Sequence, residues 1–514
     1  MGTKVYDNYA DLITFNRNSR GTALRPIGYG DELVTNGTFD TDVSGWTNYA
    51  ASFTTINWDA GTIEITASGG VARVNQGPIT TTVGKTYKIS VTCTQKPNNF
   101  DSFVHIGTFP GGTNYKNNLT QGDPVSTITD YVFTATSTEL YIQLGALNTA
   151  TVNYDNVSVK EVLFDREGDP LTLFLHPEGV PRIEYDADRN LKGLLIEPEA
   201  TNLAFNDNNF NGFASCTIAS VSETNPLGTT TDVFTATFTG TGGFRLDQNV
   251  SFVNGTTYSM GHFMKFNGQA ITLNANGATG SIISPSGTFS FDASGQPSST
   301  GDVKYNTYAN GWYYVYAVAT ALLDGATRIN WVTSETTSII IYKSQYETGP
   351  IATSYMPTTG SPFTRGKDEA TMTNVSGLIG QKEGTLYVEV DARNASGISQ
   401  DILYISNNNF TNRIYITLGT GGELRAEGNG ILISGGGSAG ILKIALRYAD
   451  NNAILFANGS QAGTTDTTCT ISSGKTDIDI GQSYAATNQA NMHIRAVQII
   501  PRRLSDEQLI ELTS

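Results

Sequence analysis

The sequence predicts an all-β protein built from three β-sandwich domains in tandem. Glycine is unusually frequent, with 54 residues in a chain of 514, and charged residues make up only 15%. Thr, Ser, Asn and Gly fill the intervals between short apolar runs, which is typical of many short strands joined by tight turns. At roughly 150 residues per domain, this length corresponds to about three domains, each large enough to bury its own core.

The charge and the apolar pattern exclude several classes of function. The formal net charge is −16 and the isoelectric point is near 4.7; no cluster of Lys and Arg offers a basic face, so we expect no nucleic-acid partner. The sequence has no run of 18 apolar residues and no signal peptide at Met1, so we expect synthesis in the cytoplasm and no membrane insertion. Cys93, Cys216 and Cys469 lie far apart and suggest neither a disulfide framework nor a zinc site.

The first part of the chain divides into a leading segment and a compact β unit. Residues 1–30 form the leading segment, with a strand at Leu12–Phe15. Residues 31–162 form the first β unit, in which Tyr87–Thr94 alternates apolar and other residues as a half-buried strand does. A Gly turn, a Tyr and alternating apolar positions recur at Gly255–Lys265, which suggests a second copy of the same unit.

The middle of the chain holds a connector and a second β unit. Residues 163–200 are rich in proline and charge and form the connector, with a turn at Asp186–Asn190. Acidic turns can bind Ca²⁺, but the Gly and the terminal Glu of an EF-hand loop are missing, so a plain hairpin is favoured. Residues 201–357 form the second jelly-roll unit, whose strongest strands are predicted at Gly311–Ala319 and Ser338–Glu347.

The last part of the chain is a linker followed by a third sandwich. Residues 358–370 form the extended linker. Residues 371–514 contain strands at spacings of roughly ten to twenty residues, the rhythm of a β-sandwich. Asn458–Gly459 is the dipeptide that a type I′ hairpin prefers. One short helix ends the chain, with Ser505 as its N-cap and Gln508 at the capping-box position.

Three stretches resemble segments of bacteriophage structural proteins. PRIEYDADRNLKGLLIEPEATNL (181–203) resembles the segment that introduces a β-sandwich in those proteins, and QYETGPIATSYMPTTGSPFTR (345–365) is similar to the exit of that sandwich. The region from GTLYVEV (384–390) to RRLSDEQLIEL (502–512) resembles the concanavalin-like, laminin-G-like domain that often follows. In this order, the resemblance implies a virion protein of the tail-fibre or adhesin type, exposed on the particle surface with other virion proteins as partners.

The leading segment carries a related resemblance. LITFNRNSRGTAL (12–24) resembles a strand that in the same proteins lies shortly before PRIEYD, whereas here residues 31–162 lie in between. The resemblance therefore implies that the first jelly roll is inserted into a small connector module. It also implies that residues 1–30 pair with the connector at 163–200.

Residues 31–162 themselves resemble carbohydrate-binding jelly rolls. The resemblance is carried by an opening and a closing motif, at Asn36, Gly37, Phe39, Asp40, Gly45 and Trp46 and at Tyr154, Asp155, Asn156 and Val157. It implies a host-surface glycan as partner and a structural Ca²⁺ that joins the first and last strands, with Asp155 as a ligand helped by Glu32 and Asn36. The alternative is that Asp155 caps a turn.

Four residues of this unit are candidates for binding the glycan. Saccharides bind to aromatic rings with flanking amides, because one face of a pyranose is apolar and its rim is rich in hydroxyls. Tyr49, Trp58, Asn98 and Phe100 are predicted at turns or surface positions where they could do this. For any single aromatic residue, packing in the core is the alternative.

No catalytic pattern stands out. The four histidines share no motif spacing, and GxSxG, HExxH, P-loop and dinucleotide fingerprints do not occur. We therefore expect a non-catalytic, receptor-binding adhesin. The alternative is a head decoration or other structural virion protein that binds capsid or baseplate. The sequence encodes no coiled-coil or collagen-like shaft, which favours a short appendage, and because such appendages are commonly trimers we expect a homotrimer.

Overall fold

The computed structural model describes residues 13–278, 282–358, 360–392, 398–437, 440–485 and 488–514. The predicted all-β class is confirmed, since strands dominate and α1 (Asp506–Thr513) is the one α-helix of these residues. The chain divides into two compact units. The inserted unit is Pro26–Pro170, and the main unit is the described part of Met1–Arg25 together with Leu171–Ser514.

The inserted unit is a sandwich of two antiparallel sheets. After two leading strands, β1 (Thr14–Asn16) and β2 (Gly21–Tyr29), its strands are β3 (Thr47–Asn48), β4 (Thr54–Asp59), β5 (Thr62–Ala67), β6 (Ala72–Thr80), β7 (Thr86–Gln95), β8 (Ser102–Gly107), β9 (Ile128–Thr134), β10 (Glu139–Ala146) and β11 (Thr151–Phe164). One sheet has the order β3-β6-β10-β8, and the other includes β4, β5, β11, β7 and β9, paired in that order. Buried apolar side chains of both sheets, such as Ile65, Val74 and Leu144, form the core between them.

The first part of the main unit contains sixteen strands, ten of which form a sheet that closes over its own core. Its strands are β12 (Leu171–His176), β13 (Ile183–Tyr185), β14 (Leu191–Ile196), β15 (Ala200–Asn202), β16 (Phe210–Ser220), β17 (Val233–Leu246), β18 (Val250–Phe252), β19 (Thr257–Phe266), β20 (Ile271–Gly277), β21 (Thr288–Phe291), β22 (Pro297–Ser299), β23 (Val303–Thr307), β24 (Trp312–Thr320), β25 (Gly325–Thr327), β26 (Ile329–Thr333) and β27 (Thr336–Thr348), with a 3₁₀ turn at Ala309–Gly311. Ten of them pair in the order β22-β21-β20-β26-β17-β27-β19-β24-β23, with β16 beside β17. Phe289 of β21 and Tyr305 of β23 lie near opposite ends of this order, yet their ring centroids are 5.8 Å apart.

The C-terminal part of the main unit is a second sandwich. Its strands are β28 (Phe363–Arg365), β29 (Glu369–Met372), β30 (Glu383–Asp391), β31 (Gln400–Ser406), β32 (Arg413–Leu418), β33 (Leu424–Gly428), β34 (Ile431–Ser434), β35 (Ile441–Ala449), β36 (Ala453–Ala457), β37 (Ser460–Asp466), β38 (Asp477–Ile480) and β39 (Met492–Ile500). The two sheets have the orders β1-β29-β38-β31-β32-β33-β34 and β13-β14-β39-β30-β35-β36-β37. The leading strand β1 and the connector strands β13 and β14 are thus part of this sandwich.

The leading segment pairs at two places in the main unit. β1 pairs with β29, close to the end of the linker at 358–370. β2 lies beside β12 of the connector. Leu12, where the leading strand is predicted to begin, lies outside the described residues.

The local signals near the C-terminus are confirmed. Ser505 Oγ accepts a hydrogen bond from Gln508 N at 3.3 Å, and Gln508 Oε1 accepts one from Ser505 N at 3.0 Å, which completes a capping box. Asn458 and Gly459 have φ values of 47° and 77°. Both are positive, as a type I′ turn requires.

A buried cluster of charges joins the leading segment, the connector and the linker. Arg17, Arg182 and Arg365 are each 0% exposed. Asp368 pairs with Arg17 at 3.1 Å and also with Arg182, while Glu197 lies 2.7 Å from Arg182. Removing one partner from such a buried network leaves the others uncompensated. The cluster therefore ties together segments that are hundreds of residues apart in sequence.

Candidate functional site

The outward side of the four-stranded sheet in the inserted unit carries a row of polar side chains. Thr47 of β3, Asn75 of β6, Gln143 of β10 and His105 of β8 are direct register partners across the four strands. Directly opposed residues of antiparallel strands project to the same side, and the alternate residues project to the other. The alternate residues, Val74, Leu144 and Val104, are fully buried members of the core. The row therefore lies on the side of the sheet that faces away from the core.

Three atoms on this side are buried without a hydrogen-bond partner among the described residues. Gln143 is 2% exposed; its Nε2 donates to Asn75 Oδ1 at 2.8 Å, whereas its Oε1 has no donor. His105 Nε2 lies 3.0 Å from Asn118 Oδ1; its Nδ1 makes no hydrogen bond of standard geometry, although the ring interacts with the side chain of Gln143, its register partner. Arg73 Nε, on β6 two residues before Asn75, also has none. Buried polar groups are nearly always satisfied, so these atoms call for hydrogen-bond partners, which a bound ligand could supply.

The charged residue on this side of the sheet is Arg73. Burial lowers the pKa of His105, and the positive charge of Arg73 lowers it further, although hydrogen bonds with Asn118 and with Gln143 act in the opposite direction. His105 is consequently neutral at pH 7. Among the described residues, no hydrogen bond or ion pair is made by the Arg73 guanidinium.

Two tyrosines accompany the polar row. Tyr49 follows β3, its backbone N donates to Arg73 O at 2.9 Å, and its side chain is 50% exposed. A Cβ placed on Gly111 would lie 3.4 Å from the Tyr49 ring and 3.6 Å from Gln143 Nε2, so the ring and this amide adjoin the same turn. Tyr141 lies two residues before Gln143 on β10 and is partly exposed. We call Tyr49, Arg73, Asn75, His105 and Gln143 the polar face.

The structure distributes the four predicted glycan-binding residues over three places. Tyr49 belongs to the polar face. Trp58 ends β4 in the other sheet, where its Nε1 donates to Phe39 O at 2.7 Å and its side chain is 46% exposed. Asn98 and Phe100 lie in the loop between β7 and β8, where Asn98 Oδ1 accepts a hydrogen bond from Phe100 N at 2.9 Å. Their role in binding stays a prediction.

Four members of the polar face were not among the predicted residues. Arg73, Asn75, His105 and Gln143 all occupy strand positions that alternate with apolar residues, so the sequence does hold a signal that they face outward. The sequence does not hold the order β3-β6-β10-β8, which makes them neighbours.

The three residues predicted to bind Ca²⁺ act separately. Glu32 Oε1 accepts hydrogen bonds from Val34 N and Val159 N at 2.9 and 2.8 Å, and its Oε2 accepts one from the Ser158 hydroxyl. Glu32 thereby connects the start of the unit to its last strand directly. The predicted Ca²⁺ was expected to make the same connection.

Asp155 and Asn36 are also engaged locally. Asp155, which lies within β11 beside a register shift, accepts hydrogen bonds from the backbone and side chain of Asn156 at 2.7 and 2.9 Å. The Asn36 side chain donates to Asp42 at 3.0 Å. No group of three or more His, Cys, Asp or Glu in the described part of the chain is placed to hold a metal ion. The structural calcium stays a prediction, which metal analysis of the purified protein would test.

Comparisons with known proteins give weak likenesses. No family model and no curated protein matches the sequence. The CBM40 module of Ruminococcus gnavus IT-sialidase is similar at 18% identity over 27% of this chain and 86% of that chain, with a TM-score of 0.24; the same module has been solved bound to alpha2,3 sialyllactose. Trypanosoma rangeli sialidase, in complex with the inhibitor DANA, is similar at 8% identity over 97% of this chain and 94% of that chain, also with a TM-score of 0.24. TM-scores this low carry no argument about this chain.

Over the described residues, no helix combines the length and the hydropathy needed to cross a bilayer.

Proposed function

We propose that this protein binds glycans, and that the polar face of the inserted unit is the binding site. The observation that carries the proposal is the set of three unpartnered, buried polar atoms on Arg73, His105 and Gln143, beside the exposed ring of Tyr49. Fixed polar groups next to an aromatic ring on a rigid scaffold are the usual composition of a small-molecule site.

The chemistry of the polar face matches that of a saccharide. The Gln143 and Asn75 side chains are fixed by their mutual hydrogen bond, so the free Gln143 Oε1 can accept from a sugar hydroxyl with little loss of side-chain entropy. The Tyr49 ring offers an apolar surface for the C–H face of a pyranose. The amides and the tyrosine ring would together contact both the apolar face and the hydroxyl groups of a sugar.

Binding is tested with a matched pair of aromatic variants of the full chain. Tyr49→Ala removes a half-exposed ring of the polar face, and Phe100→Ala removes a 67% exposed ring from the loop between β7 and β8. On a glycan array followed by calorimetry, we expect Tyr49→Ala to weaken binding at least about tenfold, which corresponds to about 1.4 kcal/mol. Phe100→Ala should leave the affinity unchanged. The proposal fails if Phe100→Ala alone abolishes binding.

At the level of the organism, we propose a non-catalytic adhesin on a bacteriophage particle. The support is the resemblance of three stretches between residues 163 and 514 to phage virion proteins of the tail-fibre or adhesin type. In this role the chain would assemble with other virion proteins, as a homotrimer, and attach to host-surface glycans. Localisation in a map of the particle, together with the mass of the purified protein in solution, tests the assembly.

The second candidate is a head decoration or other structural virion protein. It is favoured by the small size of the β-sandwich units and by a sequence without a shaft-forming repeat. The two candidates differ in what the polar face contacts. An adhesin leaves it open to the surroundings of the particle, whereas a decoration protein that used it for assembly would bury it against capsid or baseplate.

A further inference from the structure

We propose that the saccharide bound by the polar face carries a carboxylate, and that Arg73 receives it. This inference rests on the function proposed above and adds the chemical class of the ligand. The inference is drawn from the missing ion-pair partner of the Arg73 guanidinium, the charges around it and the polar and aromatic side chains of the polar face.

The guanidinium of Arg73, a partly exposed residue, has no partner among the described residues. Its Nε is buried without a hydrogen bond, and no described residue forms an ion pair with it. By contrast, Arg182 is paired with Asp368 and Glu197, and the exposed Arg166 is paired with Asp169 at 2.9 Å. An arginine fork that is held on a sheet and left open is suited to a planar, bidentate anion.

The surroundings of Arg73 favour a negative ligand. The register partner of Arg73 on β10 is Gly145, which has no side chain, and the polar groups of the adjacent row are the amides of Asn75 and Gln143 and the neutral ring of His105. The nearest carboxylate on β10 is Glu139, which precedes Gly145, the register partner of Arg73, by six residues, or about 20 Å along a strand. In a chain with a net charge of −16, this face thus presents an uncompensated cation.

The remaining groups specify a sugar as the carrier of the carboxylate. A simple anion would need only Arg73. Gln143 Oε1 and His105 Nδ1 add positions for hydroxyl groups, and Tyr49 adds a surface for a sugar ring. A uronic acid residue, or another carboxylated monosaccharide within an oligosaccharide, satisfies all of them at once.

The test uses the full chain and pairs of oligosaccharides that differ only in one carboxyl group. One member contains a uronic acid, and the other is its carboxyl-reduced, neutral counterpart. By calorimetry at low salt, we expect the acidic member to bind at least tenfold more tightly. Raising NaCl from 50 to 500 mM should weaken the acidic member severalfold and leave the neutral one unchanged, because only the charged contact is screened.

Variants of Arg73 then assign the carboxylate to this side chain. Arg73→Gln should equalise the two affinities and remove the salt dependence, and Arg73→Lys should retain part of the preference because it keeps the charge without the fork. If Arg73→Gln does not fold, Arg73→Lys still assigns the contact, because its preference for the acidic member should fall below that of the natural protein only if the guanidinium fork binds the carboxylate.

Each outcome has a distinct meaning. Equal affinities for the acidic and neutral members overturn this inference and leave the glycan-binding proposal standing. A preference that survives in Arg73→Gln, or binding of a sulfated but not a carboxylated saccharide, also overturns it. Failure of every saccharide to bind overturns both proposals.

Discussion

Among single residues, Asp479 of β38 is a carboxylate in an unfavourable place. It is 7% exposed, and its charged neighbours are the carboxylates of Asp477 and Glu369. Burial, followed by these two negative charges, raises the pKa of Asp479 to about 7. In the folded protein this group therefore keeps its proton at pH values where the unfolded chain has released it.

The raised pKa of Asp479 determines whether the free energy of unfolding rises or falls with pH. Between about pH 4 and pH 7 the folded state binds more protons than the unfolded state, so the free energy of unfolding falls as the pH rises through this window. Asp479→Asn removes the charge, and we expect it to stabilise the main unit by about 1–3 kcal/mol at pH 8 and by much less at pH 4. Thermal unfolding at both pH values measures the difference.

Asp466 of β37 provides a control of opposite sign. Although burial acts to raise its pKa, hydrogen bonds from the backbone N atoms of Thr468 and Leu432, at 2.8 and 2.9 Å, hold the pKa of Asp466 below its ordinary value. Asp466→Asn should therefore destabilise the protein at pH 8. If Asp479→Asn also destabilises at pH 8, the charge of Asp479 has a partner and this account is wrong.

At the scale of elements, the connector strand β14 is structurally part of the C-terminal sandwich. It pairs with β39 through Leu194, Leu195 and Ile196, and Ile196 is 0% exposed within the C-terminal core. A Cβ placed on Gly481 would lie only 2.6 Å from the Ile196 side chain, which shows how closely the backbone approaches it. The sandwich therefore depends on a residue far outside the region 371–514.

We expect Ile196→Ala to destabilise the C-terminal sandwich by about 2–5 kcal/mol, because it leaves a cavity in a packed core. Leu191→Ala is the matched control, since Leu191 lies on the same strand and is 52% exposed; it should change the stability by less than about 0.5 kcal/mol. Hydrogen exchange of β30 and β39 localises the effect. Equal effects of the two variants would contradict a core role for Ile196.

Across the whole molecule, the sequence predicted what depends on local pattern. The strands at Gly311–Ala319 and Ser338–Glu347, the Asn458–Gly459 turn and the capped final helix follow from alternation, turn chemistry and capping, all of which act within a few residues. Features that depend on strand order were not predictable. Pairing of β14 with β39 joins segments about 300 residues apart, and no local signal selects it.

The difference between local pattern and strand order also explains which residues of the candidate site were predicted from the sequence. Tyr49 was recognised because an aromatic residue near a turn is visible in the sequence. Arg73 was missed because its special property is the lack of a partner, and this depends on which side chains the neighbouring strands place beside it. The separation of Trp58 from Tyr49 likewise comes from the division of the strands into two sheets.

The ends of the inserted unit lie side by side, which bears on how the molecule is built. Ile27 N donates to Pro170 O at 3.0 Å, and Asp165 N donates to Pro26 O at 3.1 Å. Adjacent ends let a domain be added to, or removed from, a host fold without displacing the host's chain. The buried charges of Arg17, Arg182 and Asp368 lie outside the inserted unit and would survive its removal.

We therefore expect fragment 26–170 to fold alone and to keep the whole of the saccharide affinity. Replacing the same residues by a short Gly-Ser linker should leave the main unit folded without binding, because every member of the polar face lies in the inserted unit. Circular dichroism and thermal unfolding report the folding of both proteins, and calorimetry reports the binding. A self-contained sandwich that carries the polar face must both fold and bind. An unfolded fragment would therefore contradict the independence of the unit. A folded fragment without affinity would place the binding site in the main unit.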